Sequence, residues 1–149
     1  MTRWPSLFVS HGAPTYAIEP GLAGAQLGAL GRLLGKPRAI VVVSPHWMTR
    51  SIEITATDKP QTIHDFGGFP QALDSLRYPA PGWPELAAQI EQLLIGQGLD
   101  AQRDERRGLD HGAWVVGRDA HCWIPWLLVS LCFVVVLLRC RHLYRCLLA

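Results

Sequence analysis

The feature that most constrains the fold is an unbroken apolar run that a serine-proline pair ends. Residues 39–43 read Ala-Ile-Val-Val-Val and are followed by Ser44 and Pro45. β-Branched residues favour strands, and an apolar run without polar alternation is typical of a strand that is buried on both faces. Proline then interrupts the strand. A strand of this kind needs layers of structure on both sides of its sheet, so the run predicts an α/β domain.

The neighbouring segments alternate between strand and helix patterns. Residues 6–9 form a short apolar run that opens into Ser-His-Gly, which predicts a buried strand. Leucines at near-helical spacing predict a helix over 22–34, and residues 84–97 form an amphipathic helix. Residues 51–57 alternate polar and apolar side chains, which predicts a more exposed strand. We expect a layered α/β/α fold with a mostly parallel or mixed central sheet.

Composition limits the possible partners and compartments. The 149 residues fit one domain, and 49% hydrophobic content with 17% charged residues is enough to bury a core. A net charge of +2 argues against binding to nucleic acid or to an anionic membrane surface. The first residues lack a secretory signal peptide, which predicts a cytoplasmic protein with reduced thiols.

The segment 117–149 differs in composition from the rest of the chain. It holds all four cysteines, without the CxxC spacing of a zinc ribbon, and residues 124–138 carry no charge. Three interpretations are open: a truncated or out-of-frame ending, a buried strand with a terminal segment, and a membrane anchor. A bilayer span needs roughly 20 apolar residues, so the membrane anchor is favoured least.

Two histidines follow predicted strands at matching positions. His11 lies two residues after the 6–9 run, and His46 lies shortly after the 39–43 run. Parallel strands end at the same edge of a sheet, where ligands bind. A single histidine there most often caps a turn, but a matched pair favours a metal site, because neutral imidazole binds iron, zinc and copper.

Two further histidines lie in loops. His64 stands beside Phe66 and Phe69 in a glycine-containing loop, so the two rings could line a substrate pocket or could belong to the core. His111 lies between two glycines and could offer a proton or a hydrogen bond to a substrate oxygen. Asp65 and Asp110 could complete a metal site by residue type, but their spacing selects neither.

Five segments together resemble one family, the class III extradiol ring-cleavage dioxygenases, in the branch similar to 4,5-DOPA extradiol dioxygenase. They are Phe-Val-Ser-His-Gly-Ala-Pro at 8–14, Ser-Pro-His-Trp at 44–47, Thr-Ile-His-Asp-Phe-Gly-Gly-Phe-Pro at 62–70, Tyr-Pro-Ala-Pro-Gly at 78–82 and Gly-Leu-Asp-His-Gly-Ala-Trp-Val at 108–115. Each segment alone is weakly specific, but five in the family's order are a strong signal.

The resemblance implies a non-haem Fe(2+) enzyme, with Zn(2+) as the alternative metal, that opens a catechol-type ring with O₂. His11 and His46 match the family's first two metal ligands. His111 matches a residue that contacts substrate or oxygen, and the loop with His64, Phe66 and Phe69 matches the wall of the substrate pocket.

The resemblance stops at Val116. Residues 1–116 therefore correspond to the N-terminal part of a catalytic domain, and the fold is expected to be incomplete at its C-terminus. Residues 129–131 are similar to the family's next strand, but the third metal ligand and the acid/base histidine have no match, so no catalytic residue is assigned. An inactive remnant and a non-enzymatic metal-binding or interaction module are the alternatives to an active dioxygenase.

Overall fold

A computed structural model of the protein describes residues 5–119 and 128–132. Over these residues it shows three α-helices, four strands and two short 3₁₀ helices. The α-helices are α1 (Gly21–Leu34), α2 (Pro84–Gly96) and α3 (His111–Asp119). The strands are β1 (Ile40–Ser44), β2 (Ile52–Thr55), β3 (Ala101–Asp104) and β4 (Leu128–Cys132), and the 3₁₀ helices are Pro14–Ala17 and Gln71–Leu73.

The four strands form one mixed sheet in the order β1-β4-β2-β3. β4 pairs in parallel with β1 over its whole length, β3 pairs in parallel with β2, and β2 meets β4 in an antiparallel contact. The α/β class and the mixed sheet predicted from the sequence are thereby confirmed. The predicted likeness of residues 129–131 to a strand is also confirmed, because these residues lie within β4.

The helices lie close to their predicted positions. α1 and α2 begin and end within one residue of the predicted bounds. α2 starts at Pro84, where the ring's fixed φ suits the first turn and the missing N–H has no partner to lose. Gly35, with φ +82°, follows α1 directly and ends it in a conformation that other residues rarely adopt.

Three strand predictions need correction. Residues 6–9 are not a strand, and Leu7, Phe8 and Val9 are exposed. β1 is not buried on both faces: most of it is half-buried, because among the described strands it lies at the edge of the sheet. β2 is more buried than its alternating pattern predicts, because it lies inside the sheet and α2 packs on it.

Two apolar clusters form the core of the described residues. One joins β2, β3 and α2, with Ile54 and Ala87 fully buried. The other joins α3 to the 3₁₀ helices and the loops around them, with Trp114 and Leu109 fully buried. Burying a large apolar side chain contributes roughly 1.5–3 kcal/mol, so the second cluster fixes α3 and the loops that carry the predicted functional residues.

Within residues 5–119, no helix is both long and apolar enough to cross a bilayer. Most of the apolar run at 124–138, for which a membrane anchor was one interpretation, lies outside the described residues.

Candidate metal centre

Three histidines from distant parts of the chain lie side by side. His11 belongs to the loop before the first 3₁₀ helix, His46 follows β1 by two residues, and His111 is the first residue of α3. The Nε2 atoms of His11 and His46 are 2.7 Å apart. The His111 ring centroid is 3.9 Å from that of His46 and 5.1 Å from that of His11. The chain therefore gathers three imidazoles at one point, although the sequence predicted convergence only for the first two.

The geometry and chemistry of these rings fit a metal ion. Their potential ligand atoms all lie within 4.8 Å of one another. Two nitrogens bound to one ion at about 2.0–2.1 Å each are roughly 3 Å apart, which is close to the separation of the His11 and His46 nitrogens. An all-imidazole donor set suits iron, zinc or copper, and disfavours the oxygen-preferring Ca²⁺ and Mg²⁺.

The surroundings of His11 favour its neutral form, which is the form that binds metals. Partial burial lowers the pKa of His11 below 6.5, and the neighbouring rings of His111 and His46 lower the pKa further. The carboxylates of Asp110 and Asp65 act in the opposite direction but are weaker influences. Together these influences favour the uncharged form of the His11 ring at neutral pH.

Asp65 orients His111. The backbone N–H of His111 and its Nδ1–H both donate to Asp65 Oδ1, at 3.0 and 2.8 Å. Partial burial raises the pKa of Asp65, but the two hydrogen bonds outweigh that effect and lower the pKa from 3.8 to about 2. An ionised carboxylate can only accept, so the hydrogen-bond partner assigns a proton to Nδ1 of His111. Nε2 of His111 is then free to face the other two histidines or a ligand.

Replacing Asp65 with asparagine is predicted to remove a pH-dependent part of the stability. Because folding depresses the pKa of Asp65, its contribution is fully present above about pH 4 and is lost as the pH falls towards 2. We expect the wild type to be more stable than Asp65→Asn at pH 6, by a margin that shrinks steadily between pH 4 and pH 2. Urea unfolding at a series of pH values measures this margin, and a margin independent of pH would contradict the prediction.

Asp110 has a structural position rather than a place among the imidazoles. Its carboxylate is fully buried and accepts hydrogen bonds from Ser44 Oγ and from the backbone N–H of Ala113 in the first turn of α3. The two aspartates that the sequence left as equal candidates therefore contact different partners. Sequence reasoning assigned no role to Ser44, although its place directly before the Pro-His pair was a usable signal.

The loop of His64 supplies an aromatic surface beside His111. The Phe66 ring lies edge-on to the rings of both His111 and Phe69, with centroids 5.6 and 5.8 Å apart. Phe69 is 40% exposed, so it is not a core residue, whereas Phe66 packs partly against the second apolar cluster. His64 does not join the three histidines, because its Nε2–H donates to the backbone oxygen of Leu76 at 3.0 Å.

An α/β domain with gathered imidazoles at a sheet edge and aromatic rings beside them defines a candidate metalloenzyme. The chain belongs to the family described as the catalytic LigB subunit of aromatic ring-opening dioxygenase, whose profile matches residues 6–115. The resemblance found in the sequence is confirmed by this match.

Curated relatives and a solved structure agree with the family. The chain is 49% identical over 115 residues to 4,5-DOPA dioxygenase extradiol of Escherichia coli K12, which covers 77% of this chain. It is 43% identical over 114 residues to the protein of the same name from Beta vulgaris, covering 74% of this chain. A crystal structure of an uncharacterized E. coli K12 protein matches with a TM-score of 0.56 and 34% identity, covering 74% of this chain and 40% of that one. The chain spans 42% of the length of each of the two curated relatives.

Proposed function

We propose that residues 1–116 are the N-terminal part of a metal-dependent extradiol dioxygenase domain, which opens a catechol-type ring with O₂. Family membership over residues 6–115 supports the reaction class. The observation that carries the proposal is the approach of His11 and His46, the two residues that the resemblance implies as metal ligands, whose Nε2 atoms lie 2.7 Å apart.

His11 and His46 are the residues that would hold the metal, Fe²⁺ in the first instance and Zn²⁺ as the alternative. Bound iron would provide a path for electrons between the catechol ring and O₂. The chain's own contribution is to present two imidazoles as ligands, with the ring of His11 kept neutral by burial and by the adjacent rings.

His111 would face the substrate. Asp65 holds the proton on Nδ1, so Nε2 presents a lone pair that can accept a hydrogen bond from a catechol hydroxyl. Phe66 and Phe69, with His64 behind them, would lie against the flat ring of the substrate and keep water away from it. These roles explain why a histidine, two phenylalanines and an aspartate come from one short loop.

A non-enzymatic metal-binding module is the second candidate. The observation that favours it is that all three histidines lie in a chain that spans only about two fifths of the length of its relatives. Such a module would bind the metal without turning over a catechol.

Anaerobic loading of the purified chain with Fe²⁺, followed by L-DOPA and air, separates the two candidates. L-DOPA is the probe because the relatives carry its name. We expect a yellow ring-opened product that depends on iron and is absent in His11→Ala. Iron binding without colour would support the metal-binding module, and an undiminished signal in His11→Ala would contradict the assigned centre.

A further inference from the structure

A buried hydrogen-bonded bridge connects the segments that carry His46 and His111. The Asp110 carboxylate and the Ser44 side chain are both fully buried, and Ser44 Oγ donates to Asp110 Oδ1 at 2.5 Å. Asp110 Oδ1 also accepts from the backbone N–H of Ala113 at 3.2 Å. Burying a carboxylate is costly unless hydrogen bonds compensate, so the position of this group is closely determined by its donors.

Each end of the bridge adjoins a histidine of the candidate centre. Ser44 Oγ accepts from the backbone N–H of His46 at 3.3 Å, and Asp110 directly precedes His111. A continuous path thus runs from the His46 backbone through the Ser44 hydroxyl and the Asp110 carboxylate to the start of α3. The path joins the end of β1 to α3 without passing through either imidazole.

Gly112 shows how closely the two segments approach. A Cβ atom on Gly112 would lie 2.5 Å from Ser44 Oγ and 2.8 Å from Cδ2 of the His46 ring. Both distances are shorter than van der Waals contact, so any larger residue would push α3 away from β1. The absence of a side chain at this position lets the bridge form.

Arg107 closes the other side of the carboxylate. Its Nη2 is 3.7 Å from Asp110 Oδ2, which has no hydrogen-bond partner among the described residues, and its guanidinium lies over the Trp47 ring at 5.1 Å. The ion pair offsets the buried charge at Oδ2, while the two hydrogen bonds at Oδ1 determine the geometry.

We propose that Ser44 and Asp110 are positioning residues for the metal centre, which hold the backbone of the metal-binding His46 in place beside His111 through this Ser44–Asp110 bridge. The inference rests on the metal site of the proposed function and extends it to residues that contact neither metal nor substrate. Outer partners of metal ligands typically change metal affinity 10–100-fold when they are removed.

The test is Zn²⁺ affinity, measured by competition with a chromophoric chelator in a full chain whose four cysteines are replaced by serine. Ser44→Ala is expected to weaken Zn²⁺ binding by at least about tenfold. Ser75→Ala is the matched control, because Ser75 is exposed and its hydroxyl donates to the backbone oxygen of Ala72, three residues earlier in the chain. Its affinity should equal that of the parent chain.

A double variant distinguishes positioning from general destabilisation. If Ser44 acts through His46, adding Ser44→Ala to His46→Ala should lower the affinity no further. Should Ser44→Ala fail to fold, Asp110→Asn, which keeps an oxygen acceptor for both hydrogen bonds, should retain affinity that Asp110→Ala loses.

The outcomes separate the inference from the proposed function. Weak binding in His46→Ala with unchanged binding in Ser44→Ala would overturn the bridge and leave the metal site standing. The bridge would also be overturned if adding Ser44→Ala to His46→Ala lowered the Zn²⁺ affinity as much as Ser44→Ala does alone. Equal losses of affinity in Asp110→Asn and Asp110→Ala would overturn it as well. Unchanged binding in His46→Ala would overturn both the metal site and the bridge.

Discussion

Replacing His11 or His46 with alanine is expected to lower the affinity for Fe²⁺ or Zn²⁺ by more than about 100-fold. The reason is that each variant removes a ligand atom itself, whereas loss of an outer partner alone costs 10–100-fold. The two Nε2 atoms are 2.7 Å apart, so each ring already occupies its own ligand position. The remaining ring would have to leave that position to replace the lost one. Equilibrium competition for Zn²⁺, and anaerobic titration with Fe²⁺, measure the effect.

His64→Ala is the matched control for this prediction. His64, like His11, is a half-buried histidine, but its Nε2–H donates to the Leu76 carbonyl oxygen. Its removal should leave metal affinity within about threefold of the parent, far less than the 10–100-fold expected for an outer partner of a ligand. His121→Ala, in the segment 117–149 and outside the described residues, is a second control. All variants carry serine in place of the cysteines, so thiolates do not bind the added zinc. Similar affinities in all four variants would contradict the assignment of His11 and His46.

The convergence of His11 and His46 could be predicted because it depends on a general property of α/β sheets. Residues that follow β-strands tend to meet at one edge, and this holds for His46 after β1. The predicted location of His11 beside His46 was right, but the reason was wrong, since residues 6–9 do not form a strand. A loop brings His11 to the same point.

The contacts of His111 could not be predicted from local pattern. They depend on the segment 61–65 folding back on the segment 108–111, where Thr62 and Leu109 form an isolated parallel bridge. Gly108 permits that approach, since a Cβ there would overlap the Gln61 carbonyl oxygen. A glycine in the sequence marks such a position but does not name its partner.

Burial was the least predictable property of the strands. The apolar pattern of β1 and the alternating pattern of β2 gave the wrong order of exposure, because burial depends on sheet order. β4 comes last in the described chain and yet pairs between β1 and β2. No local signal in residues 39–57 could reveal that a strand about eighty residues away would take that place.

Trp114→Ala is expected to destabilise the fold by about 3–5 kcal/mol, a large part of the roughly 5–15 kcal/mol that holds a typical domain together. Trp114 is fully buried in α3, and its Nε1–H donates to the Ile63 carbonyl oxygen at 2.9 Å. Truncation leaves a cavity and leaves the Ile63 carbonyl oxygen without the N–H that the indole donates. Urea unfolding monitored by circular dichroism measures the change.

Two matched variants separate the contribution of the hydrogen bond from that of burial. Trp114→Phe keeps most of the apolar volume and should lose mainly the hydrogen bond, at a cost of about 1–3 kcal/mol. Trp83→Ala removes the same side chain from a half-buried position beside the first apolar cluster, and should cost less than Trp114→Ala. Equal losses at the two tryptophans would contradict the argument from burial.

The same indole also links stability to the candidate centre. Trp114 joins α3, which begins at His111, to the segment that carries Asp65, and its ring lies 5.5 Å from that of His64. Losing the indole should therefore loosen the hydrogen bonds by which Asp65 orients His111, in molecules that still fold. The pH-dependent stability margin assigned to Asp65 should then shrink in Trp114→Ala and persist in Trp83→Ala, because only the first variant disturbs the loop that holds the carboxylate.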